Sequence, residues 1–184
     1  MKEFDPYINV AKELISKKRH FAGTMFMHQM ETFSILLNFN YSDRILLKAS
    51  LIHDVIEDIP DFDQNKILTL DGDSRDVLKL VKEVTKKEGE TKRDFLLRIL
   101  QEGSPEAKIL KCADRISNMI SIGYATDPKF IDRYCEETEL YILPMALTVD
   151  KRLFDENLNL CISRRKFFEL IKWKKTIEQI GKSD

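Results

Sequence analysis

The sequence predicts an all-α fold, a compact multi-helix bundle, on two observations: apolar residues recur mostly at three- and four-residue spacing, and only 6 Gly and 5 Pro punctuate 184 residues. Strands are hard to place under that pattern. Taken in order, helices are expected near 5–18, 29–39, 42–59, 74–85, 91–102, 105–122, 128–150 and 163–180, with loops at Asp61–Gly72 and Lys86–Glu90. The second of these follows the apolar cluster Met25-Phe26-Met27, and His28 begins its amphipathic run through Leu37. The helix near 105–122 has the best-marked start. Ser104 caps its first turn, Pro105 suits the first helical position, and Glu106 faces the positive end of the dipole. The basic segment Arg164–Lys175 alternates with Phe167, Phe168, Leu170, Ile171 and Trp173, and reads as an amphipathic packing helix.

Hydrophobic residues make up 43% of the chain and charged residues 33%, which lets it bury a core and keep a solvated surface. The length fits a single domain over residues 1–184, with a core at about 5–150 and a C-terminal helical extension at about 151–184. A net charge of -1 supplies no global field for nucleic acid, so the expected partner is small, and any phosphate must meet locally placed Lys and Arg. Cys112, Cys135 and Cys161 are widely spaced, odd in number and without a CxxC pair. This argues against a disulfide framework and a Cys-based zinc site, and for a reducing cytoplasm. No stretch approaches the ~18 apolar residues needed to span a bilayer, and no apolar signal region follows Met1, so no membrane partner is expected.

Two segments reserve a helix face for polar chemistry. On a helix through Lys48–Pro60, His53, Asp54, Glu57 and Asp58 fall within an arc of about 140°, while Ile52, Val55, Ile56 and Ile59 fill the other side. A solvated acidic face is one reading. The other is a site that enters the protein, where three carboxylates and an imidazole would need a divalent cation to offset the cost of burial. The second segment, Pro105–Ile122, gathers Lys111, Asp114, Arg115 and Asn118 within about 100°. Local pairing of Asp114 with Lys111 would explain it at about 0.2–0.5 kcal/mol per pair.

The text around these residues joins them. Leu51-Ile52-His53-Asp54-Val55-Ile56-Glu57-Asp58 resembles the LLHDVVED signature of the alarmone hydrolase branch of the RelA/SpoT superfamily. Leu80–Lys86 resembles its LVxxVTK, Lys111–Met119 its KLADRLHNM, and Glu137-Thr138 with Tyr141 and Pro144-Met145-Ala146 its ET…Y.PLA. In order, His28, His53-Asp54 and Asp114 are similar to the H…HD…D set of the HD-domain phosphohydrolases. The resemblance covers residues 28–146 and leaves no room for a synthetase domain, so the chain is most similar to the stand-alone small alarmone hydrolases.

That resemblance implies an HD-domain bundle around one metal site. His28, His53, Asp54 and Asp114 would hold the ion, usually Mn²⁺, with Glu57 and Asp58 catalytic, orienting or deprotonating a water. Asn118, Lys86 and Arg133 would hold phosphate or ribose, and Arg19 or Lys18 the guanine. The implied reaction removes the 3′-diphosphate of guanosine tetra- or pentaphosphate as pyrophosphate, giving GDP or GTP. Gly23–Gln29 departs from the family's GxPYxxHP, being one residue shorter and lacking both prolines and the tyrosine, which leaves His20 as the alternative first ligand. Two other readings stand beside it. One is a related hydrolase acting on an adenine alarmone, NADPH or a deoxynucleotide; the other is a non-catalytic, antitoxin-like nucleotide binder.

Overall fold

The computed structural model describes residues 2–125 and 127–180, and every regular element among them is helical. Among the described residues the one pairing of extended backbone is an isolated bridge between Lys18 and Thr24. Helix α1 (Asp5–Ala11) passes into a short 3₁₀ turn at Lys12–Leu14, so the helix expected to reach residue 18 stops early. Residues 15–24 instead form a tight reversal in which Arg19 N–H donates to the Gly23 carbonyl at 3.1 Å and Met25 N–H to that of Lys17 at 2.8 Å. Gly23 takes φ +76° there, a left-handed conformation that costs other residues a steric clash. Thr24 then caps α2 (Met25–Asn38), accepting Met27 N–H, and this starts the helix before His28 rather than after it.

The helix expected at 42–59 is broken into α3 (Arg44–Ser50) and α4 (Val55–Asp58). Between them Leu51, Ile52 and Val55 donate to carbonyls three residues back, and His53 Nδ1 lies 2.8 Å from the Ser50 carbonyl that a continuing α-helix would offer to residue 54. The side chain thus displaces the backbone bond. The expected loop at 61–72 contains one helical turn, α5 (Asn65–Leu68), seated by fully buried Ile67. Helices α6 (Ser74–Val84), α7 (Lys92–Glu102) and α8 (Pro105–Ser121) lie where periodicity places them, the last two capped by Thr91 and Ser104.

The helix expected at 128–150 is α9 (Pro128–Glu137), a π-helical segment Thr138–Ile142 and α10 (Leu143–Val149). Leu143 N–H reaches back to the Thr138 carbonyl, and Pro144 has no amide to continue the ordinary ladder. Helix α11 (Lys151–Ile180) begins well before residue 163. Asp150 Oδ1 accepts Arg152 N–H at 2.8 Å at its start, and the buried face is Leu153, Asn157 and Cys161, whose polar member hides the apolar pattern. The packing role expected of Arg164–Lys175 is corrected in part: Leu170 and Trp173 are exposed because they lie roughly opposite that buried face. The side chains of Phe168 and Ile171 lie outside the described residues.

α8 is the axis of the bundle. Ala107, Leu110, Cys112, Ala113 and Ile116 are buried from it, and α2, α10 and α11 pack around it with α6 and α7. Leu110→Ala removes a fully buried side chain at this axis and is expected to destabilise the fold by about 2–5 kcal/mol, read as a lowered urea midpoint at unchanged slope.

Candidate active site

Three elements converge at one point. His28 comes from the first turns of α2, His53 and Asp54 from the turn between α3 and α4, and Asp114 from the middle of α8. His28 Nε2 lies 3.0 Å from Asp114 Oδ1, 3.2 Å from Asp54 Oδ2 and 3.2 Å from His53 Nε2. His53 Nε2 lies 3.2 Å from Asp54 Oδ2 and 3.8 Å from Asp114 Oδ1. The break after α3 is what lets neighbouring residues 53 and 54 aim at one spot; on a regular helix they would diverge by about 100°.

The outer bonds of the two rings fix where their protons sit. A backbone carbonyl only accepts, so His53 carries its proton on Nδ1, facing Ser50. His28 Nδ1 lies 2.8 Å from Ser117 Oγ, whose own proton goes to Glu31 Oε2 at 2.7 Å, so the hydroxyl oxygen is left to accept from Nδ1. In their neutral forms both rings therefore turn Nε2 lone pairs toward each other and toward two carboxylate oxygens. Such a set repels itself unless a cation stands among it, and mixed nitrogen and oxygen donors with oriented imidazoles suit a divalent ion. His28, His53 and Asp114 form a buried group able to hold one, and Asp54 Oδ2 faces the same point.

The two carboxylates also favour positive charge on the rings themselves, so a metal ion would compete with protons for the Nε2 atoms. Burial opposes protonation of both rings, but Asp54 and Asp114 outweigh it, pushing His53 up to about 10 and His28 above its usual value. Burial likewise resists ionisation of Asp54 and Asp114, but His53 beside the first and Lys111 beside the second hold both carboxyls low. Asp114 is further bound by Lys111 Nζ at 2.7 Å and by the Asn118 amide, and Asp54 by Gln29 Nε2 at 3.1 Å.

A cleft of 310 Å³ opens above the cluster. Glu57 and Asp58 stand in its wall, and burial raises the pKa of both. Glu57 Oε1 accepts the backbone N–H of Lys86, and Asp58 Oδ1 pairs with Lys17 Nζ at 2.8 Å. Asp58 Oδ2 and Gln29 Oε1 are buried without a hydrogen-bond partner among the described residues. Four cations, Lys86, Lys92, Lys111 and Arg115, balance the four carboxylates Asp54, Glu57, Asp58 and Asp114 around the cleft. Arg115 is held over the Tyr134 ring at 4.1 Å and bonded to Glu137 and Thr138, the residues that the π-helical junction presents. Lys92 pairs with the other oxygen of Glu137 at 3.0 Å, and burial lowers its pKa.

A second cavity, of 230 Å³, adjoins the cleft and shares Met25, Asn118 and Tyr134 with it. Its wall is aromatic: His20 packs edge-on to Phe21, Phe21 on Phe130, and Phe130 stacks on Tyr134. His20 therefore lies in this cavity, and His28 occupies the cluster. Arg19 lines the same cavity, but its guanidinium is committed to Glu31 Oε2 at 3.0 Å and to Asn118 Oδ1 at 3.0 Å. Asn118 thus links Arg19 to Asp114. Arg133 does not join either cavity: Ile131 and Cys135 form the buried side of α9 and Tyr134 faces the cleft, which leaves residue 133 pointing outward. Lys92 and Glu137 were not among the site residues read from sequence. Glu137 sits inside a recognisable motif, whereas Lys92 follows a loop with no local signal.

No family model and no curated protein matches this sequence. Among solved structures, a metazoan ortholog of SpoT that hydrolyses ppGpp and plays a role in starvation responses superposes with a TM-score of 0.76 at 21% identity, over 89% of this chain and 96% of that one. The protein lmo0812 from Listeria monocytogenes EGD-e superposes with a TM-score of 0.58 at 21% identity, over 76% of this chain and 99% of its own. No helix among the described residues is long and apolar enough to cross a membrane. The helical bundle that the motifs imply is thus the one found, and the chain has the fold of the metazoan SpoT ortholog.

Proposed function

We propose that this chain is a metal-dependent hydrolase that removes the 3′-diphosphate of guanosine tetra- or pentaphosphate as pyrophosphate, leaving GDP or GTP. The observation that carries the reading is the meeting of two imidazole Nε2 atoms and two aspartate oxygens beneath a cleft whose walls hold Glu57, Asp58 and four cations. His28, His53, Asp54 and Asp114 would hold the ion. When bound, a divalent cation, Mn²⁺ on the motif resemblance, supplies Lewis acidity to a phosphoryl group and lowers the pKa of water.

The remaining roles belong to side chains. The four cations on the cleft walls offer contacts to a diphosphate, and an ion held by the cluster would add positive charge beside it. Glu57, poised above its usual pKa by burial and fixed through Lys86 N–H, takes a proton from the attacking water. Asp58, also raised by burial, orients that water from the adjacent position. The aromatic cavity offers a stacking surface for a base, and Lys18, rather than the committed Arg19, is the cation at its edge that remains available for base contacts.

Incubation with Mn²⁺ and guanosine tetraphosphate, with EDTA as control and ion-exchange separation of products, is expected to yield GDP and pyrophosphate in metal-dependent fashion. An untouched guanosine tetraphosphate with turnover of an adenine alarmone, NADPH or a deoxynucleotide would move the substrate and keep the site. No turnover of any of them would sink the hydrolase reading. Lys86 Nζ has no partner among the described residues, so Lys86→Ala is expected to raise KM roughly tenfold with kcat nearly unchanged, as loss of one phosphate contact should.

A further inference from the structure

Away from the cleft, α6 stacks Arg75, Lys79 and Lys82 on one face at spacings of four and three residues, an arrangement that repels itself along a helix. These side chains line an open groove of 600 Å³ together with Lys87 from the loop after α6 and with Leu68 and Leu78, its apolar lining. All four cations are exposed, and none has a hydrogen-bond or ion-pair partner for its side chain among the described residues. Some surface cations are partnered, as Lys66 is by Glu13 and Lys151 by Asp155, and what sets this cluster apart is that four cations unpaired among the described residues line one groove. With a net charge of -1, the chain does not owe this cluster to a basic composition. Glu83 and Arg98 also line the groove but are engaged: Glu83 Oε2 accepts Ser104 N–H at 3.0 Å, and Arg98 binds Glu90 and the carbonyls of Glu83 and Thr85.

We propose that this groove is a second anion site, which takes the di- or triphosphate chain of a nucleotide-sized ligand on Lys79, Lys82 and Lys87 and seats the ligand's apolar part on Leu68 and Leu78. Its volume is that of a small-molecule site, and Leu68 and Leu78 in its lining offer an apolar surface that a bare inorganic ion would not need. The groove is tied to the cleft through one loop. Lys86 N–H holds Glu57, and the next amide, Lys87 N–H, donates to Glu90 Oε2 at 2.9 Å, the carboxylate that Arg98 clamps. A phosphate drawing Lys87 into the groove therefore pulls on the backbone that fixes Glu57. The binding itself is independent of the reaction proposed above; only the effect on turnover rests on it.

The test is titration calorimetry of the whole chain with GTP and, separately, with inorganic tripolyphosphate, comparing the wild type with Lys79→Glu/Lys82→Glu and with Lys87→Glu. The wild type is expected to show a site that the double variant weakens by about a hundredfold or more and Lys87→Glu by about tenfold or more, since each charge-assisted phosphate contact is worth about a factor of ten. Loss of binding for both ligands identifies the phosphate chain as the recognised element, and loss for GTP alone a nucleotide. Hydrogen exchange at the Lys86 amide should change on saturation in the wild type and not in the variants. Equal stoichiometry and affinity in wild type and variants overturns the proposal, as it would if the true occupant were an acidic protein or a nucleic acid. Turnover enters none of these readouts, so a failed hydrolase assay and a failed groove remain distinguishable.

Discussion

Asp114→Ala is expected to abolish metal binding and metal-dependent turnover together. Asp114 Oδ1 lies 3.0 Å from His28 Nε2, and the same carboxylate anchors Lys111 and Asn118, so its loss removes one donor and unsettles two neighbours. Even partners one bond removed from a metal change affinity by about 10–100-fold, so deleting a direct donor should exceed about a hundredfold. Calorimetry with Mn²⁺ measures that directly. A thermal scan gives a second readout: at a metal concentration of about a thousand times Kd, the wild type gains about 4 kcal/mol from linkage, and the variant should gain almost none. Asp114→Asn keeps the shape and one acceptor oxygen, and should fall between the two. If Asp114→Ala binds Mn²⁺ with wild-type affinity, the cluster is a structural ion-pair network and the ligand set is wrong.

Much of this site was legible because its residues sit in contiguous text. His53-Asp54 and Glu57-Asp58 lie in one stretch and Lys111–Asn118 in another, and the structure brings both stretches to the cleft with His28. What periodicity misplaced was the backbone between them. Apolar spacing runs unbroken through 42–59, yet the helix opens at Leu51–Asp54 because His53 takes the Ser50 carbonyl, an event decided by a side chain and a distant cluster rather than by propensity. The junction at Thr138–Ile142 is similar. Pro144 marks it in hindsight, but the π-helical register that presents Glu137 and Thr138 to Arg115 depends on a contact 22 residues away in sequence. Arg133 is a candidate phosphate or ribose contact in sequence only by its place on the helix after Asp114, where a solvated-surface role fits equally well; the helix phase, fixed by burial of Ile131 and Cys135, turns it outward. Asn157 misled in the opposite sense, since a buried amide interrupted the apolar stripe of α11 and hid its first turns.

Glu57→Gln is expected to lower kcat by about 10²–10⁴-fold while leaving Mn²⁺ affinity and KM close to wild type, the signature of losing a proton acceptor rather than a binding contact. The amide keeps an oxygen to accept Lys86 N–H, so the loop should not move. Burial raises the Glu57 pKa, Lys86 N–H opposes that, and Asp54 adds to it, so the carboxyl ionises only above the ordinary glutamate range. The acid limb of the wild-type kcat profile should lie correspondingly high and should vanish in Glu57→Gln. The stability effect has the opposite sign from that of an ordinary paired carboxylate. A raised folded-state pKa makes ionisation costly, so the stability that Glu57 contributes is present below its unfolded pKa and is lost as pH rises through the folded value. At neutral pH the uncharged glutamine is therefore expected to fold at least as well as glutamate, which separates lost chemistry from lost structure. Asp58→Asn supplies the contrast: its carboxylate is tied to Lys17, and it should lose less activity than Glu57→Gln. Should Asp58→Asn prove the more damaging, the base is Asp58 and Glu57 is the residue that holds the loop.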